Sequence, residues 1–483
     1  MSKMPTNYYS MIDTINKRGV AATLTGKEYQ RKGVEWCIER EREPTTGFIK
    51  GGLVADEMGL GKTLTMIMVL LLNYKERTLF VVPPNILYQW YDEIYKFTGH
   101  KPIIYHGSNK NKITKEQLEE SSIVLTTYHT ISATKLQYSE EKTRLLHQVV
   151  WERIIYDEAH NLKNRNILHY GAMSMTTKIC WFITGTPIQN KLSDYRNLCR
   201  IMGYSSRNPV IPVLRRTLND VNIHHNGISQ YTTVVDWSDN SLRLAEIKHR
   251  ELVSANGDYI IAKMQRCRQI CAMPSLYNRI DKTNNTIYEN DKMVEVANHI
   301  YSRRKSGNGK LVFCNYTAEM NEYNAYISGM GLKVVCINGK MTMKERHNLL
   351  SSYHMIGDEE REPLDNKHIN LLSTISDDIV QYINDFIKID VCLIQIQSAC
   401  DGLNLQHLSE VYFPSPAWNP STEGQAIARC YRTGQKKHVN VYRFYMNSFG
   451  EEGLFNMDEY VCHTQKKKIN TMREFYSDIA PIL

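Results

Sequence analysis

The sequence predicts an α/β protein: two tandem parallel-sheet lobes with a helical insertion between them. Three observations carry this. Short apolar runs alternate with helix-length segments through the first half (Leu53–Ala55, Leu79–Val82, Ile123–Leu125, Arg153–Tyr156, Cys180–Ile183), the pattern of parallel strands with crossover helices. A second such series begins near residue 293, with strands expected at Lys310–Cys314, Val334–Ile337 and Val391–Ile396. Between them, Leu242, Ile247, Leu252, Ile260, Met264, Cys267 and Ile270 recur at roughly helical intervals until Pro274, where a proline stops a helix.

Within the first series, each strand ends in a polar cluster: Pro83-Pro84, Thr126-Thr127, Asp157-Glu158 and Thr184-Gly185-Thr186. Ligands of parallel sheets gather at the carboxyl ends of the strands, so these clusters are where chemistry is expected. The most informative lies between Gly51 and Thr63. Leu53-Val54-Ala55 breaks into Gly59-Leu60-Gly61, then Lys62-Thr63 opens an apolar helix, Leu64–Leu72. Strand, glycine loop, Lys-Thr and helix form a phosphate cradle. Glycines let backbone N–H groups close on phosphate, Lys62 reaches the β- and γ-phosphates, and the Thr63 hydroxyl ligates Mg²⁺. Asp56 stands where the strict pattern has its first glycine. The plainer alternative is an ordinary strand–turn–helix.

Asp157-Glu158-Ala159-His160 supplies carboxylates at a strand end. Asp157 is suited to hold Mg²⁺ through water, and Glu158 to orient and deprotonate an attacking water. The same pair also suits a helix N-cap; Lys62 upstream favours the catalytic reading. Gln30, on a short helix Leu24–Trp36, has a carboxamide able to pair with an adenine edge, or is simply a surface glutamine.

Composition narrows the class. The chain has 483 residues, 42% hydrophobic and 23% charged, and a formal net charge of +8, values of a soluble globular protein with room for two or three domains. The basic excess suits a polyanionic partner and equally a lysine-rich solvated surface. Eleven cysteines are scattered without a C-x-x-C pair, which argues against a zinc module and for a reducing compartment. No apolar run is long enough to span a bilayer, so no membrane partner is expected. The expected location is nuclear, or cytoplasmic or virion if the gene is viral; thirty tyrosines beside abundant Asn, Ile and Lys suit an AT-rich genome.

The segments Leu24–Trp36, Asp56-Glu57-Met58-Gly59-Leu60-Gly61-Lys62-Thr63, Asp157–His160 and Thr184–Asn190 resemble, in order and spacing, motifs Q, I, II and III of the Swi/Snf-like ATPases, DEAH-box members of helicase superfamily 2. Leu214-Arg215-Arg216 resembles the segment after motif III, and Gln265–Pro274 the helix joining the lobes. In the second half, Gly339–Arg346 is similar to the family's lobe-2 pattern and Ser398–Leu405 to motif V, with Ala399 and Cys400 in place of two glycines. Trp418-Asn419-Pro420 follows. Gln425–Gln435 resembles motif VI, with Ala428 and Tyr431 as departures. There Arg429 and Arg432 are expected on one helical face, presenting guanidinium forks to a γ-phosphate.

The resemblance covers about residues 24 to 445. It implies two RecA-like lobes, ATP with Mg²⁺, and duplex DNA bound without sequence preference, with nucleosomes or RNA polymerase as further partners. ATP is expected on Gln30 and residues 56–63; the catalytic set is Lys62, Asp157, Glu158, Arg429 and Arg432; Mg²⁺ falls to Thr63 and Asp157. Phosphate-backbone contacts are expected at Thr126, Thr127, Thr186, Asn315 and Ser398. The expected division is a loose leader (1–23), an ATP-binding lobe (24–230), a helical linker or protrusion (231–290), a second lobe (291–450) with an insertion at about 354–390, and a tail (451–483) whose Lys466–Lys468 run is solvated or touches phosphate. The insertion carries an acidic loop, Gly357–Glu360, and a helix expected over Ile375–Ile389. The expected function is a DNA-stimulated ATPase that translocates on duplex DNA, for remodelling or protein displacement without obligatory strand separation. The alternatives are a transcription-release ATPase of a large DNA virus and, from another class, an inactive DNA-binding scaffold.

Overall fold

The computed structural model describes residues 8–17, 25–44, 48–134, 144–204, 210–221, 227–255, 259–278, 286–339, 341, 354–355, 388–396, 405–432 and 435–479. The chain divides into two compact units, 1–223 with 468–483, and 224–467.

The first unit holds a seven-stranded sheet of β1 (Lys50–Val54), β2 (Thr78–Val82), β3 (Ile103–Ile104), β4 (Ile123–Thr127), β5 (Val150–Asp157), β6 (Thr176–Ile183) and β7 (Val213–Leu214) in the order β3-β4-β2-β5-β6-β1-β7. Every neighbouring pair is parallel, as the strand–helix alternation predicts. The central strands are buried on both faces, which is why they read as continuous apolar runs. Two apolar clusters result. One carries Leu53, Val81, Trp151 and Phe182; the other Val54, Phe80, Trp90 and Trp181. Gly51 permits a close strand approach: a Cβ there would lie 2.1 Å from the Cys180 carbonyl oxygen of β6.

A buried ion pair fixes the helix Glu28–Arg42 on this sheet. Arg153 of β5 donates from Nε and Nη2 to the Glu41 carboxylate (2.7 and 2.5 Å), and Trp181 Nε1 of β6 donates to Glu41 Oε1 (2.8 Å). Both charged side chains are fully buried, so the pair survives because its lone pairs are satisfied.

The expected loose leader is instead, over its described part, a helix, Tyr8–Lys17. Tyr8, Met11, Ile12 and Ile15 are buried and join the cluster of Val34, Met66 and Val69. The i, i+3, i+4, i+7 spacing was present but short. Replacing Ile15 by Ala is expected to destabilise the first unit by about 2–4 kcal/mol, read as a lower midpoint in urea.

The second unit holds a six-stranded sheet. Its strands are β8 (Ile228–Val235), β9 (Gly309–Cys314), β10 (Val334–Ile337), β13 (Val391–Gln395), β14 (Leu408–Phe413) and β15 (Val439–Met446), ordered β10-β13-β9-β14-β15-β8 and again all parallel. β11 (His354–Met355) and β12 (Lys388–Ile389) form a small separate pair. The end of the helix expected over Ile375–Ile389 is thus strand; the rest of that helix, the acidic loop, Arg346 and most of motif V lie outside the described residues.

The expected linker 231–290 is part of this unit. It supplies the end of β8 and the helices Asp239–Val253, Ile260–Ala272 and Ser275–Asn278. Cys267, Cys271, Met273 and Leu276 pack into the same cluster as Val312 and Tyr412. The expected tail is the 23-residue helix Met457–Ile479. Its start is pinned in the second unit, where buried Lys292 bridges Asp458 (2.5 Å) and Ser415 (3.1 Å). Phe475, further along, belongs to the first unit and packs on Tyr195 (centroids 4.8 Å). Lys466–Lys468 therefore sit on a helix, with Lys466 and Lys467 exposed.

Candidate nucleotide site

The carboxyl ends of β1, β5 and β6 bring together the glycine loop, the acidic pair and the Thr184–Asn190 segment. The loop turns at Gly59 (φ 89°) and Gly61 (φ 77°), left-handed angles that glycine adopts without a Cβ penalty. A Cβ on Gly61 would also lie 2.4 Å from Gln30 Nε2. Gln30 is buried beside the loop; its Nε2 donates to Leu60 O (3.4 Å) and its Oε1 accepts from Tyr8 OH (3.2 Å).

Lys62 opens the helix Lys62–Leu72. Its Nζ donates to the carbonyl oxygens of Asp56 (2.8 Å) and Glu57 (3.3 Å). Burial lowers its pKa, and the charges of Glu158, Asp56 and Asp157 push it back up. Lysine, loop and acids thus share one electrostatic environment.

Asp56 does not present its carboxylate to that environment's phosphate side. It is fully buried and forms a two-pronged pair with Arg216, Nε donating to Oδ1 at 3.0 Å and Nη2 to Oδ2. Arg216 Nη1 also donates to Tyr29 O, and its guanidinium lies 5.4 Å from the Tyr29 ring centroid. The loop is further stitched to the 214–218 segment: Ala55 N–H to Leu214 O (2.8 Å), Glu57 N–H to Arg216 O (2.8 Å), and Leu218 N–H to Glu57 Oε2 (2.8 Å). The Asp at the loop's first position therefore acts as an anchor, and only its main chain takes part in holding Lys62. Met58 side-chain atoms lie 3.4 Å from where a Gly185 Cβ would stand, which places motif I against motif III.

Asp157 ends β5. Trp90 Nε1 donates to its Oδ2 (2.7 Å), the Glu158 N–H to its Oδ1 (2.9 Å), and Tyr128 OH to its carbonyl (2.5 Å). Its pKa is raised, first by burial and then by the Glu158 charge; Trp90 and Lys62 oppose this. Glu158 has φ 49°, a left-handed angle unique among the described non-glycine residues, and such strain collects at functional positions. Although it precedes the short helix Ala159–Leu162, its side chain makes no capping bond, so the N-cap alternative fails for Glu158. His160 Nδ1 lies 3.2 Å from Glu158 Oε2 and 3.2 Å from Thr184 Oγ1. Thr184 Oγ1 in turn accepts from Thr186 N–H (3.2 Å). His160 thus sits between the acidic pair and motif III.

The donor set fits a nucleotide-bound magnesium ion. A desolvated carboxylate beside a second acid concentrates negative charge that a cation relieves. No group of three or more His, Cys, Asp or Glu among the described residues is arranged to hold a metal by itself. Because the protonated Asp157 carboxyl is the wrong form for a cation, Mg-nucleotide affinity should fall as pH falls. Trp90→Phe removes a bond to the charged form, so the loss should begin about one pH unit higher, read by titrating a fluorescent nucleotide with Mg²⁺ across pH.

Other expected positions are placed differently. The Thr126 and Thr127 hydroxyls are fully buried and taken by Tyr105 O (2.8 Å), and by His106 Nδ1 (3.1 Å) and Thr130 Oγ1 (3.0 Å). Thr186 is also buried. The Thr126 and Thr127 hydroxyls are thus engaged within the protein. Asn315 ends β9, where its Oδ1 accepts from Arg268 Nη2 (3.1 Å); the same nitrogen donates to Pro416 O (2.9 Å), and the guanidinium lies 5.8 Å from the Trp418 ring. Ser398 lies outside the described residues. The helix Pro420–Ile427 ends before both arginines. Arg429 and Arg432 follow in turns, half-buried, with Arg429 O accepting from Leu405 N–H (3.1 Å), so they do not share a helical face.

Trp90, Tyr128, Thr184 and Arg216 support the site without having been assigned to it from sequence. Leu214-Arg215-Arg216 and Thr184–Asn190 were the available signals, as motifs that gave Arg216 and Thr184 no individual role.

A glycine loop, a lysine at the start of the following helix and a strand-end acid pair on one parallel sheet have the form of a P-loop. Residues 29–209 match the SNF2-related domain. Similar curated proteins include an uncharacterized ATP-dependent helicase of Mycoplasma genitalium (24% identical, covering 92% of this chain and 41% of that protein). A probable global transactivator of Orgyia pseudotsugata multicapsid polyhedrosis virus is 25% identical over 94% of this chain and 92% of its own length. The human DNA excision repair protein ERCC-6-like is 24% identical over 93% of this chain and 42% of its own length. The chain thus spans about two-fifths of the Mycoplasma and human relatives. No helix among the described residues is long and apolar enough to cross a membrane.

Proposed function

We propose that the protein is a DNA-stimulated ATPase that moves along duplex DNA without obligatory strand separation. The observation that carries the reading is the convergence of Lys62, Asp157 and Glu158 at the carboxyl end of one sheet, with the loop locked by the Asp56–Arg216 pair. Lys62 binds phosphate, Glu158 orients and deprotonates water, and Asp157 holds the cation. Magnesium, when bound, supplies charge neutralisation between the β- and γ-phosphates. Arg429 and Arg432, in the second unit, complete the proposed catalytic set as the arginines for the γ-phosphate charge. Binding through phosphates makes DNA recognition sequence-tolerant and salt-dependent.

The test is phosphate release with no DNA, single-stranded DNA, duplex plasmid and nucleosomes in parallel. Duplex should stimulate most, and Lys62→Ala should abolish the stimulated rate. A wild-type rate no higher than that of Lys62→Ala would leave an inactive scaffold. Displacement of a triplex-forming strand without unwinding of a forked duplex distinguishes translocation from strand separation.

A second reading, release of transcription complexes in a viral setting, is favoured by the near full-length similarity to the polyhedrosis virus protein whose name is probable global transactivator. ATP-dependent release of transcripts from stalled RNA polymerase would select it.

A further inference from the structure

β8 is an edge strand of unusual exposure. The other three edges of the two large sheets are β3 and β7, with two residues each, and β10, with four. β8 has eight, Ile-Ser-Gln-Tyr-Thr-Thr-Val-Val, with neither charge nor proline. Short length, lysine and proline are the usual protections of an edge, and β8 has none of them. Tyr231 is 49% and Val234 58% exposed. Its ladder to β15 runs from the Gly227 carbonyl, which accepts from Val439 N–H (3.1 Å), to the Val235 carbonyl, which accepts from Asn447 N–H (2.8 Å). Two-residue alternation turns the N–H and C=O of Gln230, Thr232 and Val234 to the open side.

Beside the end of this edge lies a groove of about 730 Å³, lined among others by Val235, Asp236, Glu289, Asp291, Met293 and Glu295. Glu289 and Glu295 are exposed. Asp236 accepts from Asn447 Nδ2 (2.7 Å) and Asp291 from Ser238 N–H and Oγ (both 3.0 Å); these neutral donors leave their charge in place. The cation closest in sequence, Lys292, is buried and paired with Asp458, so it does not neutralise the groove.

We propose that β8 is a docking edge for an extended, basic peptide segment of a partner protein. The segment adds as a seventh strand through main-chain hydrogen bonds to Gln230, Thr232 and Val234. Its apolar side chains cover Tyr231 and Val234, and a Lys or Arg reaches Glu289 and Glu295. Main-chain pairing supplies affinity and the acidic groove supplies selection. The acidic lining excludes a nucleic-acid occupant by repulsion. The proposal stands independently of ATP turnover.

The probe is a fluorescein-labelled peptide of about nine residues, the length of a typical strand with its flanks, alternating valine with lysine or arginine. Anisotropy on the full chain should show binding at least about tenfold tighter than for the same peptide with glutamate. Methylating alternate backbone nitrogens of the probe keeps its charge and removes its donors; binding should fall at least about tenfold. Glu289→Lys with Glu295→Lys should abolish the preference for the basic probe. Thr232→Pro removes an N–H that β15 does not use, so the chain should fold, with unchanged circular dichroism, and bind the probe weakly. Equal binding of basic and acidic probes, or indifference to N-methylation, would overturn the proposal. So would a self-association, seen by sedimentation, that Thr232→Pro abolishes, because the edge would then be occupied by a second copy of this chain.

Discussion

Glu158→Gln should lower DNA-stimulated phosphate release by about 10²–10⁴-fold while ATP binding is retained. Glutamine keeps the volume and one acceptor oxygen, so what is lost is the capacity to take a proton from water. The local structure separates this from a folding effect. The backbone of Glu158 is held by its N–H on Asp157 Oδ1 (2.9 Å), and its carbonyl accepts from Asn161 Nδ2 (2.8 Å); neither bond involves the carboxylate. The side chain makes no cap for the following helix, so its amide replacement does not unravel Ala159–Leu162. The measurement is steady-state phosphate release beside equilibrium binding of a labelled nucleotide. Normal turnover in the variant removes Glu158 from the role of base. Loss of both binding and turnover assigns it to the pocket's architecture. His160, 3.2 Å from both Glu158 Oε2 and Thr184 Oγ1, extends the argument: His160→Ala should lower turnover less than Glu158→Gln, since it positions the acid without touching the water.

The legible and illegible parts of the site divide by sequence distance. Gly59–Thr63 and Asp157–His160 were readable because strand, turn and the following helix are contiguous, and local chemistry decides them. The sheet was readable because β2, β4, β5 and β6 are buried on both faces and therefore apolar throughout. β8 was not, because an edge strand exposed to solvent carries Ser, Gln and Thr, and its run joins a segment of helical periodicity. The Thr126 and Thr127 hydroxyls look like surface polar groups at a strand end; only the fold reveals Tyr105 O and His106 as their partners. Arg429 and Arg432 fit a helical spacing, but the helix stops at Ile427, and nothing in the run Ala-Arg-Cys-Tyr-Arg announces the stop. The linker 231–290 has the right helices and the wrong independence: Cys267 and Cys271 face a core built largely from residues beyond 290.

The partner of Asp56 lies 160 positions away, and its removal should give the largest stability loss. Arg216→Met should cost the first unit about 3–5 kcal/mol, because it leaves a fully buried carboxylate without its cation. For a unit of this size that corresponds to a fall in melting temperature of about 10 °C. Lysine is a poor substitute, as it cannot serve both Asp56 oxygens and the Tyr29 carbonyl from one planar fork. The charge argument makes a further demand. Adding Asp56→Asn to Arg216→Met should recover much of the loss, since the orphaned charge is gone; a double variant as unstable as the single one would assign the effect to packing. Because the Lys62 ammonium is held by the Asp56 and Glu57 carbonyls (2.8 and 3.3 Å), loosening this anchor should weaken nucleotide binding as well, and in the double variant nucleotide affinity should return together with the melting temperature.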